Sequence, residues 1–392
     1  MRIVSADSQG VHIAVKIALV ADRFDPLAGG REQWTVGFAA YLQGHGHEVH
    51  VLAFSEANHT LPVCSHILPQ ARRMLDRARI VAGSIATLKP DVVHDGGTSW
   101  SGQVFHPHTG SRLLSEVALR AARPMSYRLR TALSPRRRRY HWQLDRLERL
   151  QARNARRIVA LSRRLGALLA ERHGIPADRI TVIPNGVDTQ HFAPERLAEL
   201  AQSARRALGI GDGPLFLGVA HNLRLKGVDT TLRALAVLRQ EGADATLAVA
   251  GGTADAFWTG LATRLGVRDH VQFLGPVADM ASLYAAADVL VHPTRWDACC
   301  LATIEGLAAG LPVITTAMGG ASELIARGQS GFVLPDPEDV ATLAAHMRRL
   351  LHPGTRSGIG AAARDVALRH DSRDNFRAVE AVLAQVADEC RQ

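Results

Sequence analysis

The sequence predicts an α/β protein made of two open, parallel-sheet domains. Three observations predict it. The chain has 392 residues, 47% of them hydrophobic, enough for two cores of ordinary size. Short apolar runs alternate with helical patterns of ten or more residues, as in parallel sheets covered on both faces. The alternation restarts after the turn cluster Pro184-Asn185-Gly186-Val187-Asp188, which splits the chain into similar halves. The expected domains are 1–194 and 195–370, followed by a closing helix over 371–392.

Lys16–Ala21 is the first strand, and residues 1–15 form an extension with no assigned role. Gly29-Gly30 closes the next loop, and a helix follows with Trp34, Phe38, Ala39, Tyr41 and Leu42 at helical spacing. Gly44-His45-Gly46-His47 stops it, and Glu48–Ala53 is the second strand, a Rossmann-like opening. Asp76–Leu88 reads as a helix and Asp91–His94 as a strand. His106, His108 and Gly110 then sit on a loop after a short apolar segment. Residues 112–139 are Arg-rich and end in Arg136-Arg137-Arg138-Arg139, and a helix continues through Tyr140, Trp142, Leu144, Leu147 and Leu150. A polybasic run beside such a helix suits an anionic leaflet, and equally a solvated charged face. Arg157–Leu161 is a strand with Ser162 as the cap of the next helix, and Ile180–Ile183 is the last strand of the first half.

In the second half, Pro214–Ala220 is a strand whose loop, His221-Asn222-Leu223-Arg224-Leu225-Lys226-Gly227, opens a helix from about Val228 to Glu241. Strands follow at Ala245–Ala250 and His270–Leu274. Arg224 and Lys226 stand at the mouth of a helix, where a cation opposes the helix dipole unless an anion lies between them. The stretch from Val291 to Ile325 then reads strand, loop, helix, strand, Gly-rich turn, helix. Its first helix runs from about Cys300 to Ala309, stopped by Gly310 and Pro312, and Gly319-Gly320 turns the chain into the second. Asp297 and Glu305 lie 305 − 297 = 8 positions apart on either side of the first helix's N-terminus. Free N–H groups and a positive dipole end make that N-terminus a seat for phosphate. Singly, a loop Asp is ordinarily an N-cap and a helical Glu is ordinarily solvated. Together they describe a carboxylate for a sugar, one for a ribose and a diphosphate between.

With its flanks, this stretch resembles the donor-site motif of retaining glycosyltransferases of family 4, where Glu, seven residues and Glu precede Gly-Leu-Pro-Val. Here Asp297 replaces the first Glu, and Gly310-Leu311-Pro312-Val313 follows. The GGREQ opening, GHGHEVHVL and VIPNGVD before Phe192 resemble the same family, over about residues 16–385. The AHNLRLKG wording and Asp-Ala-Cys-Cys-Leu resemble the branch containing lipopolysaccharide core glucosyltransferase I.

The resemblance implies a GT-B fold, two Rossmann-like domains facing across a cleft, with the last helix crossing back to the first domain. It implies a nucleotide-diphosphate sugar as donor, a UDP-sugar favoured, and a glycan or lipid-linked acceptor in cell-envelope synthesis. It assigns Lys226 and Arg224, with backbone N–H groups at Gly29, Gly30, Cys300 and Leu301, to the diphosphate. His221 stands where the family usually has Arg. Glu305 is assigned to the ribose, Asp297 to the sugar, and His108 to the acceptor or the sugar 6-hydroxyl. The residues near 319–320 are expected to line the pocket. Front-face attack leaves no protein nucleophile to name, and no metal or other cofactor is expected. A sugar epimerase or phosphorylase of the same fold is disfavoured by the Asp297–Glu305 arrangement. A basic scaffold with a decayed site is the alternative from another class.

Net charge is +9, which points to anionic partners: a membrane surface, a nucleic acid or a phosphorylated acceptor. With 5% aromatic residues and no recognition module, nucleic acid is not expected. No run reaches the roughly 18 apolar residues of a membrane helix. MRIVSADSQGVHIAV has one early Arg and no cleavage-like apolar core, so no signal peptide is expected. Cys64, Cys299, Cys300 and Cys390 lack zinc-like spacing, and the adjacent pair is badly placed to bridge. A cytoplasmic location, peripheral on the inner membrane, is the expectation.

Overall fold

The computed structural model describes residues 14–57 and 61–392, so the expected N-terminal extension lies almost wholly outside the described residues. The chain forms two compact units. One holds the described residues up to Leu113, Leu129–Ile183 and Arg373–Gln392, and the other holds Leu114–Arg128 and Pro184–Ser372. The chain thus enters the second unit first at Leu114 and again at Pro184, inside the turn cluster, while the sequence reading puts the boundary near Pro194.

The first unit runs β1 (Lys16–Val20), α1 (Gly30–Gly44), β2 (Glu48–Ala53), β3 (Cys64–Ile67), α2 (Met74–Leu88), β4 (Val92–Asp95) and β5 (Val104–Phe105). Helices α3 (Arg112–Ala121) and α4 (Met125–Ala132) carry the chain through Leu114–Arg128 of the second unit, and the first unit resumes with α5 (Pro135–Asn154), β6 (Arg157–Ala160), α6 (Arg163–His173) and β7 (Ile180–Val182). Ser134 and Ser162 cap α5 and α6 by accepting from Arg137 N and Leu165 N. Among the described residues the sheet has seven strands in the order β3-β2-β1-β4-β5-β6-β7, and every pairing is parallel.

The second unit runs α7 (Pro194–Ala207), β8 (Leu215–Ala220), α8 (Val228–Gln240), β9 (Thr246–Gly251), α9 (Ala256–Arg264), β10 (Val271–Gly275), α10 (Met280–Ala286) and β11 (Val289–His292). It continues with α11 (Leu301–Ala308), β12 (Val313–Thr316), β13 (Gly331–Leu334), α12 (Val340–Arg349) and α13 (Pro353–Ala367). Its six described strands, all parallel, run β10-β9-β8-β11-β12-β13. The helix expected after Gly319-Gly320 is only a 3₁₀ turn, Gly320–Leu324. Its N-cap Gly319 supplies no side-chain oxygen, and Gly320 N donates instead to Asp297 O at 3.0 Å.

The last helix, α14 (Ser372–Arg391), packs in the core of the first unit. Val379, Val382, Leu383 and Val386 form its apolar stripe and join Phe38, Leu42 and Val51. At roughly 1.5–3 kcal/mol for each fully buried side chain, this stripe is the main force holding the helix. Polar latches fix its register: Trp34 Nε1 donates to Asn375 Oδ1 at 2.8 Å, Tyr41 Oη donates to Glu380 at 3.0 Å, and His47 Nε2 pairs with Glu380 at 2.9 Å.

Both sheets reverse direction of winding once, between β1 and β4 and between β8 and β11. In open α/β sheets the crevice at such a switch point, outside the strands' carboxyl ends, is where ligands bind.

Candidate functional site

In the second unit the loops leaving β8 and β11 flank the switch point, and they carry Lys226 and Asp297. Lys226 Nζ donates a short charge-assisted hydrogen bond to Asp297 Oδ2, and the two side chains are 14% and 15% exposed. Gly227 fixes the lysine. Its φ is 70°, and a Cβ there would drive into the Pro293 carbonyl of the facing loop. Arg295 ties the same two loops together from beneath. It donates two hydrogen bonds to Asp229 in the first turn of α8, at 2.8 and 3.0 Å, and one each to Glu338 and the Arg224 carbonyl. Bidentate pairing of this kind fixes orientation as well as distance.

The β12 end closes the third side. Asp297 N donates to Met318 O at 3.3 Å, while Gly320 N donates to Asp297 O, so the loop of residue 297 runs as a short bridge beside Gly319. Cys300 is the N-cap of α11 and offers no side-chain cap bond, leaving the N–H groups of the first turn without that partner. Its thiol lies 3.7 Å from Nε2 of the buried His292. One turn further, Glu305 accepts from the Tyr284 hydroxyl at 2.7 Å.

The electrostatics follow from burial and pairing. Burial acts to raise the Asp297 carboxyl, but the Lys226 ammonium and the hydrogen bond between them outweigh it and hold the group below the usual range. Burial likewise acts to lower Lys226, and Asp297 reverses it, so the pair stays fully ionised. Glu305 has no cation: burial raises its carboxyl, and the Tyr284 bond offsets only part of that. His292 is pulled down to about 3 by burial and the nearby Lys226, which makes it neutral. Burial pushes the Cys300 thiol up to about 12, so it is no thiolate.

The other expected residues fall as follows. The Arg224 guanidinium lies over the Phe257 ring, 4.6 Å from its centroid, and donates to the Ala122 carbonyl at 3.2 Å. Its polar contacts are thus distinct from the Lys226–Asp297 pair. His221 is exposed at the end of β8. Leu301 opens α11. Gly29 is the N-cap of α1 with φ 156°, and Gly30 begins that helix.

At the switch point of the first unit, the sequence reading missed Asp22, the second residue beyond β1. Arg31, Arg77 and Arg112 reach its carboxylate at 3.3, 3.2 and 3.3 Å, and Thr98 donates from the β4 loop at 3.3 Å. Burial acts to raise Asp22, and the three guanidiniums hold it below the usual range. His108 sits beside this edge with its ring centroid 4.3 Å from that of Trp34 and 4.0 Å from that of His106. Burial keeps both histidines well below their usual range, hence neutral. Tyr284, Arg295, Asp22 and Trp34 gave no local motif. An Asp just after a strand was the one available sign, and it pointed to Asp22.

A phosphate group seated at the mouth of α11 would meet backbone N–H groups and the Lys226 ammonium. The carboxylates Asp297 and Glu305 are acceptors for hydroxyl groups on either side.

Residues 201–366 match the family described as glycosyl transferases group 1, and residues 28–191 match glycosyltransferase family 4. Lipopolysaccharide glucosyltransferase WaaG of Escherichia coli strain K12 is 33% identical over 176 residues, covering 44% of this chain and 47% of that protein. The chain spans about half the length of the curated relatives it matches. The crystal structure of WaaG, a glycosyltransferase involved in lipopolysaccharide biosynthesis, superposes with a TM-score of 0.80 at 24% identity, covering 94% of this chain and 99% of that one. Anabaena HepE in complex with UDP-glucose gives 0.71 at 19% identity, covering 95% and 100%. These likenesses establish the GT-B fold.

The site geometry generates one expectation. Lys226→Ala leaves a buried carboxylate unpaired, which costs about 3 kcal/mol at neutral pH. Asp297 has a depressed folded pKa, so its stabilising contribution is present above the unfolded value of about 3.9 and is lost as pH falls through the folded value. Urea unfolding of the second unit should therefore show the loss at pH 7 and still at about pH 4, and the loss should disappear only as pH falls further, through the folded value of Asp297. The Lys226→Ala, Asp297→Ala double variant should recover most of it. A pH-independent loss contradicts this electrostatic account.

Proposed function

Because the chain belongs to glycosyltransferase family 4, with the glycosyl transferases group 1 domain, we propose that it is a retaining glycosyltransferase. It moves a sugar from a nucleoside-diphosphate sugar, a UDP-sugar favoured, to a hydroxyl of a glycan or lipid-linked acceptor. Lipopolysaccharide core or related envelope glycan synthesis is the favoured setting, supported by the likeness to a lipopolysaccharide glucosyltransferase. The likeness to a fold that binds UDP-glucose supports the donor class.

The observation that carries the reading is Lys226 paired with Asp297 at the N-terminus of α11. As the anomeric bond breaks, negative charge grows on the leaving diphosphate. Lys226 and the first-turn N–H groups at Cys300 and Leu301 are already oriented toward that charge, so little reorganisation is needed. Arg224 adds long-range positive potential from its place over Phe257. Glu305, held by Tyr284, accepts from a ribose hydroxyl, and Asp297 from a sugar hydroxyl. In the first unit neutral His108 orients the acceptor or the sugar 6-hydroxyl, and Gly29-Gly30 lets backbone approach the phosphates. A phosphate oxygen of the donor takes the acceptor proton in front-face attack, so no side chain acts as nucleophile and the cationic groups do the work of a metal.

The chain works, in this reading, at the cytoplasmic face of the inner membrane. Among the described residues no helix is long and apolar enough to cross a membrane. Instead, Leu129, Leu133 and Trp142 are exposed by 68, 82 and 55% beside Arg136–Arg139. Apolar side chains among arginines suit insertion into an anionic interface.

A panel of UDP-, GDP- and ADP-sugars, without acceptor, tests the donor reading by thermal shift. One donor should raise the melting temperature by mass action, and Glu305→Gln should remove the shift while keeping the unliganded melt. Proton NMR of the released sugar should give retained anomeric configuration. A panel with no shift favours the decayed basic scaffold. Binding to anionic vesicles should weaken with salt and drop when Arg136–Arg139 are changed to Ser. Binding unchanged by those substitutions removes the membrane reading.

A further inference from the structure

The carboxyl ends of β4 and β5 bring three imidazoles together in the first unit. His94 lies within β4, and the parallel register pairs it with Val104. His106 and His108 follow β5 directly, separated by Pro107, and His106 N donates to Asp95 O at 2.9 Å. Each ring offers one nitrogen, and these three nitrogens lie within 4.8 Å of one another. His94 Nε2 and His106 Nδ1 share a hydrogen bond at 3.0 Å. Among the described residues, Nε2 of His106 and Nε2 of His108 are buried without a hydrogen-bond partner, and the whole His106 residue is 0% exposed. Buried imidazole nitrogens left unpaired are costly and call for a ligand or another explanation.

We propose that His94, His106 and His108 form a site for one first-row transition-metal ion, Zn²⁺ in first place. Imidazole is a good ligand for Zn²⁺, Co²⁺ and Ni²⁺, and three histidines leave a tetrahedral ion one open position. Tetrahedral ligand nitrogens stand about 3.4 Å apart at a Zn–N distance near 2.1 Å. Nitrogens within 4.8 Å of one another need to close by at most about 1.4 Å to reach that spacing, a movement the proposal assigns to His108, the least enclosed of the three. The rings are neutral, the form that coordinates without losing a proton. Trp34 walls the cluster, with its ring centroid 5.5, 5.0 and 4.3 Å from those of His94, His106 and His108. An apolar wall of this kind limits solvent access and strengthens metal–ligand bonding.

The site would act as an inhibitory one. This consequence rests on the functional reading above: an ion held by His108 withdraws that imidazole from the acceptor, so Zn²⁺ slows transfer and a chelator restores it. Metal binding itself is independent of that reading, and the experiment measures it directly.

The full chain, freed of metal by chelation, is titrated with Co²⁺ and followed by absorption. The proposal expects one Co²⁺ per chain, visible d–d bands of tetrahedral intensity, no thiolate charge-transfer band, and displacement by Zn²⁺. His94→Gln and His106→Gln should each weaken binding at least about tenfold. Since both are buried, His108→Gln serves as the variant with least risk to folding, and the same loss is expected. No stoichiometric binding overturns the proposal. So does a thiolate band abolished by Cys300→Ser, which assigns the ion to His292, Asp297 and Cys300. Binding unchanged in His108→Gln overturns it as well, because the ion is then elsewhere among the chain's 18 histidines.

Discussion

A parallel sheet delivers the carboxyl end of every strand to one edge, and the candidate site follows from that constraint. In the second unit β8 lies beside β11, so the loop after each emerges next to the other although about 70 residues separate them in sequence. Winding then carries the chain outward from this pair in both directions. The crevice left between the two loops is where Lys226 and Asp297 meet. The geometry needs the loops to be rigid as well as adjacent. Arg295 supplies that rigidity by binding Asp229 through two donors, so the loop of residue 297 is clamped to the first turn of α8. Gly227 removes the one Cβ that would push the loops apart.

The ion pair is also a device for keeping charge in a place where charge is expensive. A lone buried ammonium or carboxylate would neutralise itself by a pKa shift. Paired, both stay ionised and oriented. Glu305 illustrates the contrast, since it lacks a cation and relies on one hydroxyl from Tyr284. The carboxyl nearer the phosphate seat is therefore firmly charged, and the one further along α11 is the more readily protonated. In the first unit Asp22 applies the same principle, one carboxylate held ionised by three arginines.

Much of this was legible in the sequence because it was local. Strand and helix alternation predicted both sheets, and the stretch around Asp297 and Glu305 identified the family before any coordinates. Gly310 and Ser162 marked helix ends in the expected way. What escaped was short or distant in sequence. β5 has two residues, too few for any periodicity, and β3 is a four-residue edge strand of low hydrophobicity. Tyr284 reaches Glu305 from a helix 21 positions earlier, and Asn375 reaches Trp34 across 341 positions. No motif spans such distances. After Gly319 the chain makes only a 3₁₀ turn, with Gly320 N held by the Asp297 carbonyl and a bridge between Arg327 and Gly331 leading straight into β13, and these are contacts no local pattern announces. Arg224 reads as a phosphate ligand from its position in the loop; that its guanidinium lies over the Phe257 ring is something only the fold of α9 could reveal.

The central claim is that Lys226 and the α11 N-terminus seat a diphosphate while Glu305 holds the ribose. The most direct test is calorimetric titration of UDP, or of whichever nucleoside diphosphate binds, into the parent chain, Lys226→Ala and Glu305→Gln. Folding of each variant is checked beforehand. Hydrogen bonds to charged groups contribute about 1.5–3 kcal/mol, so each change should weaken binding about 10- to 100-fold. Affinities within twofold of the parent in both folded variants would contradict the account.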